Sequence, residues 1–226
     1  SDYDPFSQVI SSGSPSFNFI FGKSWGIPLG YSAVLYGPPK GGKSLIVNSM
    51  IGQMHRDYPD GIAIKYNTGF REAQLGGDQL KVWGIDRERY VAYDVNLPNL
   101  IFDPIEREVA AMCQEGAPVK MVIIDSINAI QGRRSANAKS IDVQQIGDHA
   151  LTIQEGLKRI LPVQRKYGFA LLLTTQIRAE MDPNEIRRHN TTKMAAAFAL
   201  QHHCEYFVYI ERNRNKEARE DLLGNE

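Results

Sequence analysis

The stretch "GPPKGGKS", residues 37–44, carries Gly37, Gly42, Lys43 and Ser44 at the spacing G-x-x-x-x-G-K-[ST]. That spacing lets a loop wrap a phosphate with backbone N–H groups. Glycines permit the close approach, and the helix that follows adds its positive end. Pro38, Pro39, Lys40 and Gly41 complete the loop, Lys43 would reach the outer phosphates, and the Ser44 hydroxyl would take one position on Mg2+. A plain glycine-rich turn is the alternative. Against it, the apolar strand "SAVLY" (32–36) leads in, and helical spacing runs from Ser44 to Asp57. A second chemical position is Asp125, at the end of the apolar strand "VKMVIID" (119–125), where open α/β sheets hold their ligands. Ser44 and Asp125 are thus the expected metal positions of a Mg2+–nucleoside triphosphate site.

A third stretch lacks what such a site usually has. In "IAIKYNTGFREAQ" (62–74), Ile62, Ala63, Ile64 and Tyr66 suit a buried strand, and Asn67-Thr68-Gly69 then breaks it. Nucleotide hydrolases often set a water-activating carboxylate at such a strand end. Here the first carboxylate is Glu72.

These residues need a scaffold, and the chain alternates strand and helix patterns to supply one. Further strands are expected at "YVAYD" (90–94), "FALLLTT" (169–175) and "EYFVYIE" (205–211). Asp103 and Pro104 suit a helix start, and Gly116 suits its end. A long helix is expected over about 143–167, kinked at Pro162 and stopped by Gly168. Strands apolar on both faces, alternating with helices, predict an α/β fold with a mostly parallel central sheet covered on both sides. Residues 1–16 are polar and turn-rich, which suggests a flexible lead-in to a core over 17–226. The charged ending "ERNRNKEAREDLLGNE" suggests a core truncated from a longer protein.

Composition narrows the classes. The chain has 226 residues, 42% hydrophobic and 23% charged, as soluble globular proteins do. It has no apolar run near the roughly 18–20 residues of a membrane span, and no signal peptide at "SDYDPFSQ". Two distant cysteines, Cys113 and Cys204, argue for a reducing cytoplasm and against a disulfide framework or structural zinc. Lys plus Arg equals Asp plus Glu at 26 each, so only the distribution of charge is informative. Residues 133–139 and 178–193 hold seven Lys/Arg against three acids. On charge alone these are solvated loops or phosphate-binding surfaces.

The run "GPPKGGKS … VIIDSINAI … IGDHALTIQEGLKRILPVQRKYGFALLLTTQIR … NTTK … EYFVYIERN" resembles the ATPase core of RecA-type recombinases, most of all the UvsX-type recombinases of bacteriophages. The likeness covers roughly residues 17 to 215, and "IDS" and "TTQIR" are its most specific parts. It implies a RecA-like P-loop core in which Gln176 senses the γ-phosphate and couples it to the following DNA-binding loop. It also implies that the segments after Asp125 and Gln176 hold single-stranded DNA. Arg133, Arg134 and Lys139 would serve in the first; Arg178, Arg187, Arg188, His189 and Lys193, with Asn190, Thr191 and Thr192, in the second. Such loops grip a backbone without reading bases.

Further implications are recombination and repair in a bacterial or phage-infected cytoplasm, and homo-oligomeric filaments. A ring-forming hexameric helicase motor and a weakly hydrolysing regulatory paralogue remain open alternatives. Departures from the family pattern fall at three places, the first being a short N-terminal segment without the aromatic-x-x-Ala oligomerisation tag of the eukaryotic and archaeal relatives. The family's catalytic Glu, set in a Tyr-Asp-Ser-Glu-Phe-like pattern, aligns with Gly69, and its Asp with Asn67. The base is then Glu72, an adjacent subunit's residue, or none. In place of paired glycines the second loop has Met194-Ala195-Ala196-Ala197, which predicts partial helix there. Arg212, Arg214 and Lys216 follow the last strand, as neighbour-reaching cations or an ordinary charged tail.

Overall fold

Six parallel strands stand side by side in a computed structural model of the chain, which describes residues 7–70, 76–133, 147–179, 184 and 192–212. In chain order the strands are β1 (Val9–Ile10), β2 (Ile27–Pro28), β3 (Ser32–Gly37), β4 (Ile62–Asn67), β5 (Tyr90–Asp94), β6 (Val119–Asp125), β7 (Ala170–Ala179), β8 (Thr192–Met194) and β9 (Tyr206–Tyr209). The central sheet runs β5-β4-β6-β7-β3-β9, all parallel, and β8 adds antiparallel to the end of β7 as the seventh strand. This is the mostly parallel α/β architecture expected from the alternating pattern, and it is consistent with a RecA-like core. β7 lies between the strand that carries the phosphate loop and the strand that carries Asp125.

Successive residues of each strand point to opposite faces, and both faces are covered. Val122, Ile124, Leu171 and Leu173 pack on one side with Ile153, Leu157 and Ile160 of the long helix. Met121, Ile123, Ala170 and Leu172 pack on the other with Val47, Met50, Ile51 and Met54 of the helix after the phosphate loop. By the same alternation Lys65 and Asn67 share a side with Ala63, which packs in that second layer.

The helices are α1 (Pro15–Asn18), α2 (Lys43–Asp57), α3 (Gly77–Trp83), α4 (Asn99–Pro104), α5 (Ala110–Gln114), α6 (Asp148–Tyr167) and α7 (Ala197–His203), with a π-helical stretch, Ile105–Val109, joining α4 to α5. Four details differ from expectation. Asp103 does not cap a helix: the helix starts at Asn99, after Pro98, and Asp103 instead pairs with Arg159 on α6 at 2.7 Å. Pro104 sits inside α4, and the π-helical stretch follows the position where its N–H is missing. α6 runs continuously through Pro162 and ends at Gly168, whose φ of 74° suits a glycine and whose N–H bonds Gln164. Met194 ends a strand, and helix begins only at Ala197, because pairing with Ile177 holds Met194 extended.

Part of the expected lead-in is built into the fold. Val9–Ile10 pairs with Ile27–Pro28, Ile10 is fully buried, and Ser12 binds the Asn18 side chain. Two apolar residues suffice because their partner strand covers them. Among the described residues no helix is long and apolar enough to cross a membrane.

Candidate functional site

The parallel register brings four strand ends together. Gly37 lies opposite Gln176 in the β3–β7 pair, and Asn67 opposite Asp125 in the β4–β6 pair. A cleft of about 770 Å³ opens at this edge, lined by Lys40 to Ser44 of the loop and by Lys65, Asn67, Gly69, Asp125, Thr174, Gln176 and Arg178 of the strand ends and their extensions. Trp83, at the end of α3, and Asn128 also reach it.

The loop's geometry follows from its residue types. A Cβ at Gly37 would collide with the Ile210 carbonyl, so only glycine fits beside the segment after β9. Gly42 caps α2 with φ 98°, a conformation that favours glycine. Lys43 is buried, and its Nζ donates to the carbonyls of Gly37 at 3.0 Å and Pro38 at 2.7 Å. Burial pulls its ammonium below the ordinary lysine value, and the Asp125 carboxylate partly offsets the shift. Gly37 and Pro38 thus serve the cleft through their carbonyls. Pro39 is exposed and lies outside the lining, while Lys40, Gly41, Gly42 and Ser44 line it directly.

Asp125 is 8% exposed. Its Oδ1 accepts a hydrogen bond from Thr174 Oγ1 at 2.6 Å, and its Oδ2 lies 3.8 Å from Lys65 Nζ. Lys65 in turn donates to Asn48 Oδ1 on α2 at 3.2 Å. The Asp125–Ser126 peptide bond is cis. Thr68 ties this turn to β4. Its N–H donates to the Asp125 carbonyl, and its hydroxyl donates to the Ser126 carbonyl and accepts from the Ser126 N–H. Ser44 and Asp125, a hydroxyl and a carboxylate on one cleft, fit the few-ligand manner in which Mg2+ is held beside phosphates. Among the described residues there is no cluster of three His, Cys, Asp or Glu that could hold a metal alone.

Gln176 is fixed through its backbone. Its N–H donates to Asn128 Oδ1 at 2.6 Å, its carbonyl accepts from Asn128 Nδ2 at 3.3 Å, and Thr175 Oγ1 donates to the same Oδ1 at 2.9 Å. The Gln176 side chain is left to the cleft.

At the position where the family places its glutamate, Gly69 lines the cleft and offers no side chain. Asn67 is buried, donating through Nδ2 to Asp94 Oδ1 at 2.8 Å and accepting from the Gly69 N–H at 3.3 Å. Glu72 lies outside the described residues. So do Arg134, Lys139, Arg187, Arg188, His189, Asn190, Thr191, Arg214 and Lys216. Of the other expected DNA contacts, Arg133 pairs with Glu155 at 2.6 Å beside a separate cavity of about 370 Å³. Arg178 opens onto the larger cleft itself, and exposed Lys193 stands opposite it across the β7–β8 pair. Arg212 is exposed.

Polar residues of the cleft that were not foreseen include Lys65, Thr174 and Asn128. The signal for Lys65 was a charge inside an otherwise apolar strand, which demands a buried partner. Asn128 carried only the weak signal of a polar residue soon after a strand end.

A phosphate-loop sequence, a strand-end carboxylate and an intervening strand with a polar end are consistent with an α/β core of RecA-like form. Known proteins carry the likeness further. The chain is 23% identical over 218 residues to Protein RecA of Corynebacterium efficiens, covering 96% of this chain and 53% of that protein. It is 24% identical over 171 residues to the chloroplastic DNA repair protein recA homolog 1 of Arabidopsis thaliana, covering 76% and 36%. With Protein RecA of Thermus aquaticus it shares 24% over 176 residues, covering 77% and 48%. The chain thus spans between 36% and 53% of the length of these three relatives. No protein-family model matches it. The similarities support a RecA-type family.

Proposed function

We propose that this chain is the core of an ATP-dependent recombinase that binds single-stranded DNA in homologous recombination and repair, in the manner of the phage UvsX-type branch. The observation that carries the reading is the meeting of Lys43, Ser44, Asp125 and Gln176 in one cleft. β7 continues from Gln176 through Arg178 toward the second basic segment. A phosphate is a stronger acceptor than the Gly37 and Pro38 carbonyls, so bound triphosphate would draw Lys43 to itself. The loop N–H groups hold the inner phosphates, and the Gln176 amide takes an outer oxygen. Mg2+ arriving with the nucleotide would be held by Ser44 and Asp125 and would neutralise phosphate charge.

Because Asn128 clamps the Gln176 backbone, a pull on the Gln176 side chain is passed along β7 to Arg178 and to β8, which carries Lys193. Protomers assembled in a filament would present these cations to one DNA strand. Water activation falls to Glu72 in this reading.

A second reading is a regulatory paralogue that binds ATP and hydrolyses little. Gly69 and Asn67 favour it, since neither is a carboxylate. Steady-state ATP turnover measured with and without single-stranded DNA, followed by electron microscopy of the same sample, separates the two. The recombinase reading expects stimulation and filaments. Turnover indifferent to DNA, with no filaments, would overturn it.

A further inference from the structure

Lys65 is 3% exposed and belongs to no part of the phosphate loop. Its Nζ stands 3.8 Å from Asp125 Oδ2 and 3.2 Å from Asn48 Oδ1, and it lines the nucleotide cleft. Burying an ammonium is costly unless charge and hydrogen bonds compensate it, and Asp125 and Asn48 contribute to that compensation. The Asp125 carboxylate thereby has both oxygens engaged, one by a hydroxyl and one by a cation.

Lys65, Asn67 and Gly69 follow one another at every second position along the same strand, and all three line the cleft. This face carries a cation, an amide and no side chain. The whole described lining holds four cations, Lys40, Lys43, Lys65 and Arg178, against one carboxylate, Asp125. A cleft of that balance attracts a polyanion before any metal enters.

Building on the nucleotide-site reading above, we infer that Lys65 is a resident counter-charge that lets this cleft take a nucleoside triphosphate without a divalent ion. In a site where the metal carboxylate faces the phosphates with no cation beside it, removing the metal leaves like charges opposed. Lys65 removes that opposition from within the sheet. Mg2+ can still bind through Ser44 and Asp125, but triphosphate affinity does not depend on it.

The test is equilibrium binding of a fluorescent ATP analogue to the full chain, in Mg2+ and in excess chelator. For the unaltered chain the two affinities should agree within about threefold. For Lys65→Met, a replacement of similar length without charge, affinity in chelator should drop by about tenfold or more and return in Mg2+. Thermal melting followed by circular dichroism establishes that the variant is folded, and the unaltered chain alone decides the matter if it is not. An unaltered chain that binds in Mg2+ and loses about tenfold or more in chelator overturns the role of Lys65 and leaves the nucleotide site standing. So does a folded Lys65→Met variant that behaves as the unaltered chain in both media. Binding in neither medium overturns the nucleotide reading itself.

Discussion

Asn128 makes three hydrogen bonds to β7, two to the Gln176 backbone and one to the Thr175 hydroxyl. Alanine there would leave those groups without their partner. Asn128→Ala should lower stability by about 1–3 kcal/mol, measured by denaturant unfolding, because half-buried donors and acceptors lose bonds they cannot remake. In the same variant ATP should lose its hold on DNA affinity, since the Gln176 backbone is no longer anchored. An Asn128→Ala protein that is as stable as the unaltered chain would show that the clamp contributes nothing. Glu72 poses the catalytic question at the same scale. Glu72→Gln should reduce steady-state turnover by about 10²–10⁴-fold while nucleotide affinity stays near that of the unaltered chain. Unchanged turnover would dispose of Glu72 as the base.

Elements set the distances among these residues, and α2 shows how tightly. Gly52 lies so close to the end of α3 that a Cβ would run into the Trp83 carbonyl. One turn on, His55 of α2 is buried against the segment before β5. Its Nδ1 accepts from the Asp86 N–H at 3.0 Å, and its Nε2 meets the Arg89 carbonyl at 3.3 Å, so the neutral ring satisfies both. Burial, and next the Arg89 charge, hold the imidazolium below the ordinary value of 6.5. The unfolded chain therefore takes up this proton first. Stability from His55 is complete above about pH 6.5 and is lost as pH falls from there toward the folded value. The thermal midpoint should drop between about pH 7.5 and 5.5, and His55→Gln should make that drop smaller. Equal slopes in the two proteins would remove His55 from the explanation.

The element scale also explains what was readable beforehand. β6 matched its apolar run because a strand buried on both faces leaves no ambiguity. The phosphate loop was readable because its spacing is local. The partnership of Lys65 with Asp125 was not, since the two stand 60 positions apart in sequence and meet only once β4 and β6 pair in register. The start of α4 was misplaced because Asp103 resembles a cap. Only the packing of α6 reveals that it faces Arg159.

At the scale of the whole molecule, strand order gives the proposed coupling a route. β7 separates β3 from β6, so its end lies between the phosphate loop and Asp125. That end continues as the pair with β8, where Arg178 stands opposite Lys193. In the proposed function, a DNA phosphate beside this pair would be attracted by both cations. Nucleotide at one end of β7 and DNA phosphate at its extension would then favour the same arrangement. Linkage requires each to tighten the other.

The most direct measurement is fluorescence anisotropy of a labelled single-stranded oligonucleotide titrated with this chain, with and without a non-hydrolysable ATP analogue, alongside Lys43→Ala. The expected result is DNA binding that tightens by about tenfold or more with the analogue in the unaltered chain and not at all in Lys43→Ala. Equal DNA affinity with and without nucleotide in the unaltered chain would contradict the coupling of the cleft to DNA.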